Sequence, residues 1–232
     1  MPSHLDWLRR GAIVLVADLD EDAANATAKN IADAGGRAVA VVVDMREPAS
    51  IEQLLRLADR QPEPLGVLIN NAGGGGEKPP HFPDAEPAIW KTKVDLNLIG
   101  PMYATQLAVR SMIAVGGVVV NIASTAGLGL LPYVSPEYAA AKAALIRFTA
   151  TLGARWDHIR INCLVPDWIL TERAQRELSD RSASERTAVP TPIPLDHLTA
   201  AVMKLVCDEE LSGRIMVLRG NEAAEFLGPA DG

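Results

Sequence analysis

Gly117-Val-Val-Val-Asn-Ile-Ala-Ser124 is a short β-branched run that ends in a hydroxyl. It reads as a buried strand, and open α/β sheets place their ligands just beyond the ends of such strands. Fourteen residues after Ser124 comes Tyr138, in the run Pro136-Glu-Tyr-Ala-Ala-Ala-Lys142. Ser135 followed by Pro136 is a natural helix start, a capping hydroxyl and then a ring already set for the first turn. Four-residue spacing then stacks the Tyr138 phenol and the Lys142 ammonium on one helical face. A free phenol, with a pKa of about 10, is a poor base at neutral pH; a cation beside it favours the phenolate and lets it move a proton. Taken alone, the pair fits a solvated helical face better than a catalytic one.

Working outward, Leu65-Gly-Val-Leu-Ile-Asn-Asn-Ala-Gly73 is a second apolar strand, running into Asn70, Asn71 and a glycine. Further strands are expected at 12–18, 37–44, 159–165 and 213–219. Helices are expected at 21–34, 47–60, 136–155 and 195–208, with a broken pair over 87–114 interrupted near Gly100-Pro101. Strands alternating with helices imply an α/β fold, a Rossmann-type doubly wound parallel sheet covered on both faces. One domain is expected over 1–220, with 221–232 a weakly ordered tail. The run 172–194 is charged and then rich in Ser and Pro, and reads as a lid or a disordered loop.

The 232 residues suit one domain, and 48% hydrophobic residues supply its core. A net charge of −7 and a pI near 5.1 argue against a nucleic-acid partner, and no Lys/Arg cluster is interleaved with aromatics. Residues 111 to 136 carry no charge, yet Gly116, Gly117, Asn121, Ser124, Gly127, Gly129 and Pro132 make this stretch strand plus loop, so no membrane span is expected. The N-terminus lacks a secretory pattern, and Cys163 and Cys207 read as small hydrophobes in a reducing compartment; together these imply a cytoplasmic protein. The four histidines show no ligand spacing, so no metal is assigned.

In this order, Asn-Asn-Ala-Gly at 70–73, Asn97, Ser124 and Tyr138-x-x-x-Lys142 resemble the short-chain dehydrogenase/reductase family, from about Gly11 to Gly220. The resemblance implies an NAD(P)-dependent oxidoreductase that interconverts a secondary alcohol and a ketone. By the same resemblance Ser124 hydrogen-bonds the substrate oxygen, Tyr138 exchanges a proton with it, and Lys142 lowers the phenol's pKa and holds the nicotinamide ribose. Asn97 would hold a water between Lys142 and solvent, or its amide stabilises an irregular helix at Gly100. Asn71, Ala72 and Gly73 would pass close to the cofactor's ribose. Asp18 ends the strand 12–18, where a carboxylate accepts adenosine ribose hydroxyls and repels a 2′-phosphate, favouring NAD over NADP. It could instead cap the next helix, although Asp20 is available for that role. Asp44 and Met45 match the position bordering the adenine, or Asp44 is a solvated turn residue. After Pro166, family members usually have Gly; here Asp167 follows, and contact of Ile169 and Thr171 with the nicotinamide is implied. Apolar faces of helices 101–114 and 136–155 imply a homodimer or homotetramer. Leu128, Leu130, Leu131, Tyr133, Val134 and Trp168 suggest an apolar pocket for a small-molecule alcohol or carbonyl substrate.

The chain departs from the family at its start. A first strand and a glycine-rich turn that cradles the pyrophosphate are expected before 12–18, and Met1 to Arg10 can supply only the end of a helix. That strand would lie between the strands at 12–18 and 65–71, so two unpaired edges are expected there. The alternative reading is an inactive paralogue or truncated gene product that acts only through subunit association.

Overall fold

A computed structural model describes residues 11–74, 79–130, 133–153, 155–169, 171 and 191–228. Leu131 and most of the 172–194 run lie outside the described residues. The elements in order are β1 (Ile13–Asp18), α1 (Glu21–Asp33), β2 (Arg37–Val42), α2 (Pro48–Asp59), β3 (Val67–Asn70), α3 (Pro87–Val94), a π turn (Asp95–Ile99) and α4 (Gly100–Met112). There follow β4 (Gly117–Ile122), a 3-10 turn (Thr125–Gly127), α5 (Pro136–Leu152), β5 (Ile159–Pro166), α6 (Leu195–Cys207), β6 (Ile215–Leu218) and β7 (Glu225–Leu227).

Alternation along β4 separates two apolar layers. Val118, Val120 and Ile122 pack with Leu205 and Val206 of α6. Val119 faces the other way, onto Ile51 and Leu55 of α2 and Ala104, Ala108 and Met112 of α4. Leu145 of α5 joins that second face against Cys163 and Val165. Helices thus cover both faces of a parallel sheet, the Rossmann-like arrangement expected. Side-chain amides cross this layer: Asn70 Nδ2 donates to Asn121 Oδ1 (2.8 Å) and Thr105 Oγ1 (3.0 Å), and Asn121 Nδ2 donates to Thr149 Oγ1 (3.0 Å). Each buried amide is therefore satisfied while it locks β3 and β4 to α4 and α5.

The sheet is in two parts. β1 pairs with β2 in parallel, and β3-β4-β5-β6 form a parallel set that β7 closes antiparallel; among the described residues no strand joins β1 to β3. The interruption falls where the sequence leaves two unpaired edges, and a cavity of about 860 Å³ lies there, lined by both strands.

Three local expectations are corrected. The helix over 87–114 is continuous: the π turn carries the chain into Pro101, with Gly100 N donating to Asp95 O. Wide i→i−5 bonding absorbs the extra residue and accommodates a proline that offers no N–H. Within the expected weakly ordered tail, residues 225–227 form β7, whose Phe226 packs beneath Arg214 (5.2 Å) and Lys204 (5.7 Å). Ser135 stands at the N-cap of α5, but its hydroxyl makes no capping bond; its carbonyl accepts Tyr138 N and Ala139 N instead.

Candidate active site

Lys142 lies one turn beyond Tyr138 on α5 and is 3% exposed. Its Nζ donates to Ile122 O at 2.9 Å and stands 5.7 Å from the centroid of the Tyr138 ring. Burial lowers the pKa of this ammonium to about 8, against a smaller upward pull from Cys163. Tyr138 is half-buried and stacks on Tyr133, with centroids 6.2 Å apart and an interplanar angle of 26°. Two residues past Ile122, Ser124 leaves β4 in extended backbone, and its Oγ accepts Ala126 N at 3.2 Å to cap the 3-10 turn. That bond uses one acceptor position and leaves the hydroxyl proton available to a ligand.

Gly127 brings this turn to the helix. A Cβ at Gly127 would lie 2.5 Å from Ala143 N and 2.6 Å from the Lys142 carbonyl carbon, so only glycine lets the 3-10 turn rest on the α5 backbone at Lys142. The sequence reading used Gly127 only against a membrane span; its i+3 position after Ser124 was the available signal.

From the other side, β3 delivers Asn71, Ala72 and Gly73. A Cβ at Gly73 would stand 2.9 Å from Asn97 Oδ1 and 3.0 Å from Lys142 Nζ, so this backbone lies against both groups. Asn97 is fully buried in the π turn. Its Oδ1 accepts Gly74 N (3.0 Å), and its Nδ2 donates to Gly74 O (2.9 Å) and to Lys93 O (2.9 Å). The amide thus stabilises the irregular helix and pins the loop that borders Lys142.

Asp18, at the end of β1, is exposed and accepts Asp20 N through Oδ1 (3.0 Å), while Asp20 caps α1 through Asp22 N and Ala23 N. Asp20 therefore supplies the cap of α1. Asp44 is tied to Arg46, whose Nε and Nη2 reach its two oxygens at 2.8 and 2.5 Å. That side-chain hydrogen bond holds its carboxyl below the usual range. Its neighbour Met45 presses its carbonyl where a Cβ at Gly100 would be, at 2.2 Å. Asp18, Asp44, Met45 and Asn71 to Gly73 line one cavity, the 860 Å³ space between β1 and β3. Tyr138, Lys142 and Ser124 stand beyond its Gly73 end rather than in its lining.

Pro166 is buried at the end of β5. Asp167 keeps an ordinary negative φ, since no described non-glycine residue has a positive one, so the glycine usual there is not required by the backbone. Its Oδ1 instead accepts Thr125 Oγ1 at 3.0 Å, linking the β5 end to the turn after Ser124. Ile169 forms a bridge to Ile193, and Thr171 N donates to Ile169 O at 2.8 Å. Of the expected apolar pocket, Leu130, Tyr133 and Val134 are exposed.

A profile of the family described as short chain dehydrogenase matches residues 5–182. The chain belongs to the short-chain dehydrogenase family. This short-chain dehydrogenase is 32% identical to the 7alpha-hydroxysteroid dehydrogenase of Escherichia coli (strain K12), over 93% of this chain and 86% of that protein. Among solved structures it superposes on 7 alpha-hydroxysteroid dehydrogenase complexed with NADH and 7-oxo glycochenodeoxycholic acid, with a TM-score of 0.79 and 27% identity, over 95% of this chain and 88% of that one. It also superposes on a gluconate 5-dehydrogenase from Burkholderia cenocepacia J2315 in complex with NADP and tartrate, with a TM-score of 0.78 and 26% identity, over 92% and 86% of the two chains. The family is one of oxidoreductases, and these relatives take alcohol or ketone substrates. No helix among the described residues is long and apolar enough to cross a membrane, and no three described His, Cys, Asp or Glu side chains form a group that could hold a metal.

Proposed function

We propose that this short-chain dehydrogenase interconverts a secondary alcohol and a ketone with a nicotinamide dinucleotide, Tyr138 acting as the proton donor and acceptor. The observation that carries the reading is Lys142, whose buried Nζ lies between the Tyr138 ring, Ile122 O and the bare backbone of Gly73. A buried cation beside a phenol stabilises the phenolate, the form needed to take a proton from an alcohol. Ser124, with its hydroxyl proton free to donate, orients the substrate oxygen toward Tyr138. Reduction runs the same contacts backward, the phenol giving its proton to the developing alkoxide.

The residues fit the two ends of the dinucleotide: Gly73 lets backbone approach within contact of Lys142, and Asp18 presents a carboxylate at a strand end. Asp18, Asp44 and Met45 would hold the adenosine end. Asn71, Ala72, Gly73, Tyr138, Lys142, Pro166, Ile169 and Thr171 would hold the nicotinamide end. When bound, the cofactor supplies or accepts the hydride. The Asp18 carboxylate would repel a 2′-phosphate, which favours NAD over NADP.

We read the assembly as a homodimer or homotetramer built on α4 and α5, where Ile99 and Tyr103 line a groove with Phe148 and Trp156. Neither Cys163 nor Cys207 is in a disulfide, which supports a cytoplasmic location. The interrupted sheet is the observation on the side of a rival, a non-catalytic relative working only through subunit association. Measuring NADH affinity separates the two, and replacing Tyr138 by phenylalanine tests the catalytic role.

A further inference from the structure

Next to Tyr138 in sequence, Glu137 is buried beside Lys93 and His81, and Lys93 Nζ also lies 2.9 Å from His81 Nδ1. Its side chain is 4% exposed and that of Lys93 is 11% exposed. Lys93 Nζ donates to Glu137 Oε1 at 2.7 Å, His81 Nδ1 lies 3.2 Å from the same oxygen, and Phe82 N donates to Oε2 at 3.4 Å. There the loop before α3 and α3 itself meet the first turn of α5, which lies 44 to 56 positions further along the chain. Burial raises the Glu137 carboxyl, but hydrogen bonds from Lys93, from its own backbone amide and from His81 outweigh it and hold the group at about 2. At working pH this is an ion pair.

Lys93 also serves the opposite arm of the site. Its carbonyl accepts Asn97 Nδ2 at 2.9 Å, and Asn97 brackets Gly74 on both backbone groups, next to the Gly73 backbone that lies against Lys142. One residue of α3 therefore registers the Tyr138 turn through its side chain and the Gly73–Gly74 loop through its main chain.

We propose that Lys93 and Glu137 form a positioning pair for Tyr138, fixing the first turn of α5 and balancing the charge beside the phenol. The proposal rests on the reading of Tyr138 as the proton-transfer group. If Glu137 stood alone, its carboxylate would oppose phenolate formation; Lys93 cancels it, leaving Lys142 as the dominant charge on Tyr138. Other titratable groups on the elements around Tyr138 are Tyr133, His81, Asp95 of the π turn, Cys163 of β5 and Asp167 at its end. Burial pushes the Cys163 thiol up to about 12, so it stays neutral.

The experiment is an absorbance titration of the phenolate on the full chain. There are three tyrosines, and subtracting a Tyr138→Phe trace isolates Tyr138. For an assumed separation of roughly 10 Å and an effective dielectric of about 20–40, Coulomb's law has removal of one charge move the midpoint by roughly half to one pH unit. Lys93→Met is expected to move it upward and Glu137→Gln downward, with the double variant Lys93→Met/Glu137→Gln returning it to the wild-type position. A pair that only holds the fold would loosen the turn in either single variant and move both midpoints the same way. Shifts of the same sign, or no shift in either, overturn the proposal. Should a single variant fail to fold, the double variant, which leaves no buried unpaired charge, decides by whether it keeps the wild-type midpoint. Turnover measured on Tyr138→Phe tests the catalytic reading separately. Activity surviving that change would remove Tyr138's role while the titration still reported on the pair.

Discussion

Replacing Lys142 by methionine is expected to stabilise the protein at neutral pH while abolishing turnover. Burial lowers the Lys142 pKa from 10.5 to about 8, and each pKa unit corresponds to about 1.4 kcal/mol. Holding the charged ammonium in the folded state at pH 7 therefore costs about 3 kcal/mol. Between pH 8 and 10.5 the unfolded chain binds more protons at this site than the folded one, so the penalty is relieved as pH rises, with about 1 kcal/mol left at pH 10. Methionine is close in volume and removes the penalty, but it strips Ile122 O of a donor, which costs about 1 kcal/mol. The variant should thus be more stable than wild type by about 2 kcal/mol at pH 7 and roughly equal to it at pH 10. Cys163, with its pKa of about 12, destabilises both proteins alike above pH 9 and cancels in the comparison. Urea unfolding followed by fluorescence of the four tryptophans reads both differences. A variant less stable than wild type at pH 7, or a gap that does not close by pH 10, refutes the reasoning.

Other outcomes follow from single contacts. Gly127→Ala should cost about 1–3 kcal/mol by pushing the 3-10 turn off the α5 backbone, and should lower kcat more than it raises KM, as melts and steady-state kinetics will tell. Asp18→Asn should narrow the ratio of NADH to NADPH affinity by relieving repulsion of the 2′-phosphate; a wild-type preference for NADPH contradicts the role given to Asp18. Light scattering at micromolar concentration should give a dimer or tetramer mass, because a monomer leaves the groove of Tyr103, Phe148 and Trp156 wet.

Much of the fold and part of the site are legible in the sequence because their signals are local. The β-branched run ending at Ser124 and the four-residue spacing of Tyr138 and Lys142 fix a strand end and a helical face within a few residues, and Asp20 identifies itself as a cap next to Asp18. What escaped depends on distant partners. Glu137 meets Lys93 and His81 across 44 and 56 positions, and Thr125 meets Asp167 across 42, separations over which no periodicity carries information. Pro101 suggested a break, yet a π turn absorbs it, an outcome that needs Asn97 and Gly74 in place. β7 escapes a sequence reading because the three residues before Gly228 carry too short a pattern to mark a strand, and only the open edge of β6 recruits them.

The central claim is that Tyr138, backed by Lys142, performs proton transfer with a dinucleotide bound along Asp18 and Gly73. Its most direct test is NADH oxidation with a panel of ketones, measured for wild type and Tyr138→Phe beside NADH-dependent thermal shifts. Both proteins should be stabilised by NADH, since the ligand binds only the native state, and Tyr138→Phe should lose roughly 10²–10⁴-fold in turnover. Near wild-type turnover in Tyr138→Phe, or no stabilisation of either protein by millimolar NADH, would contradict the claim.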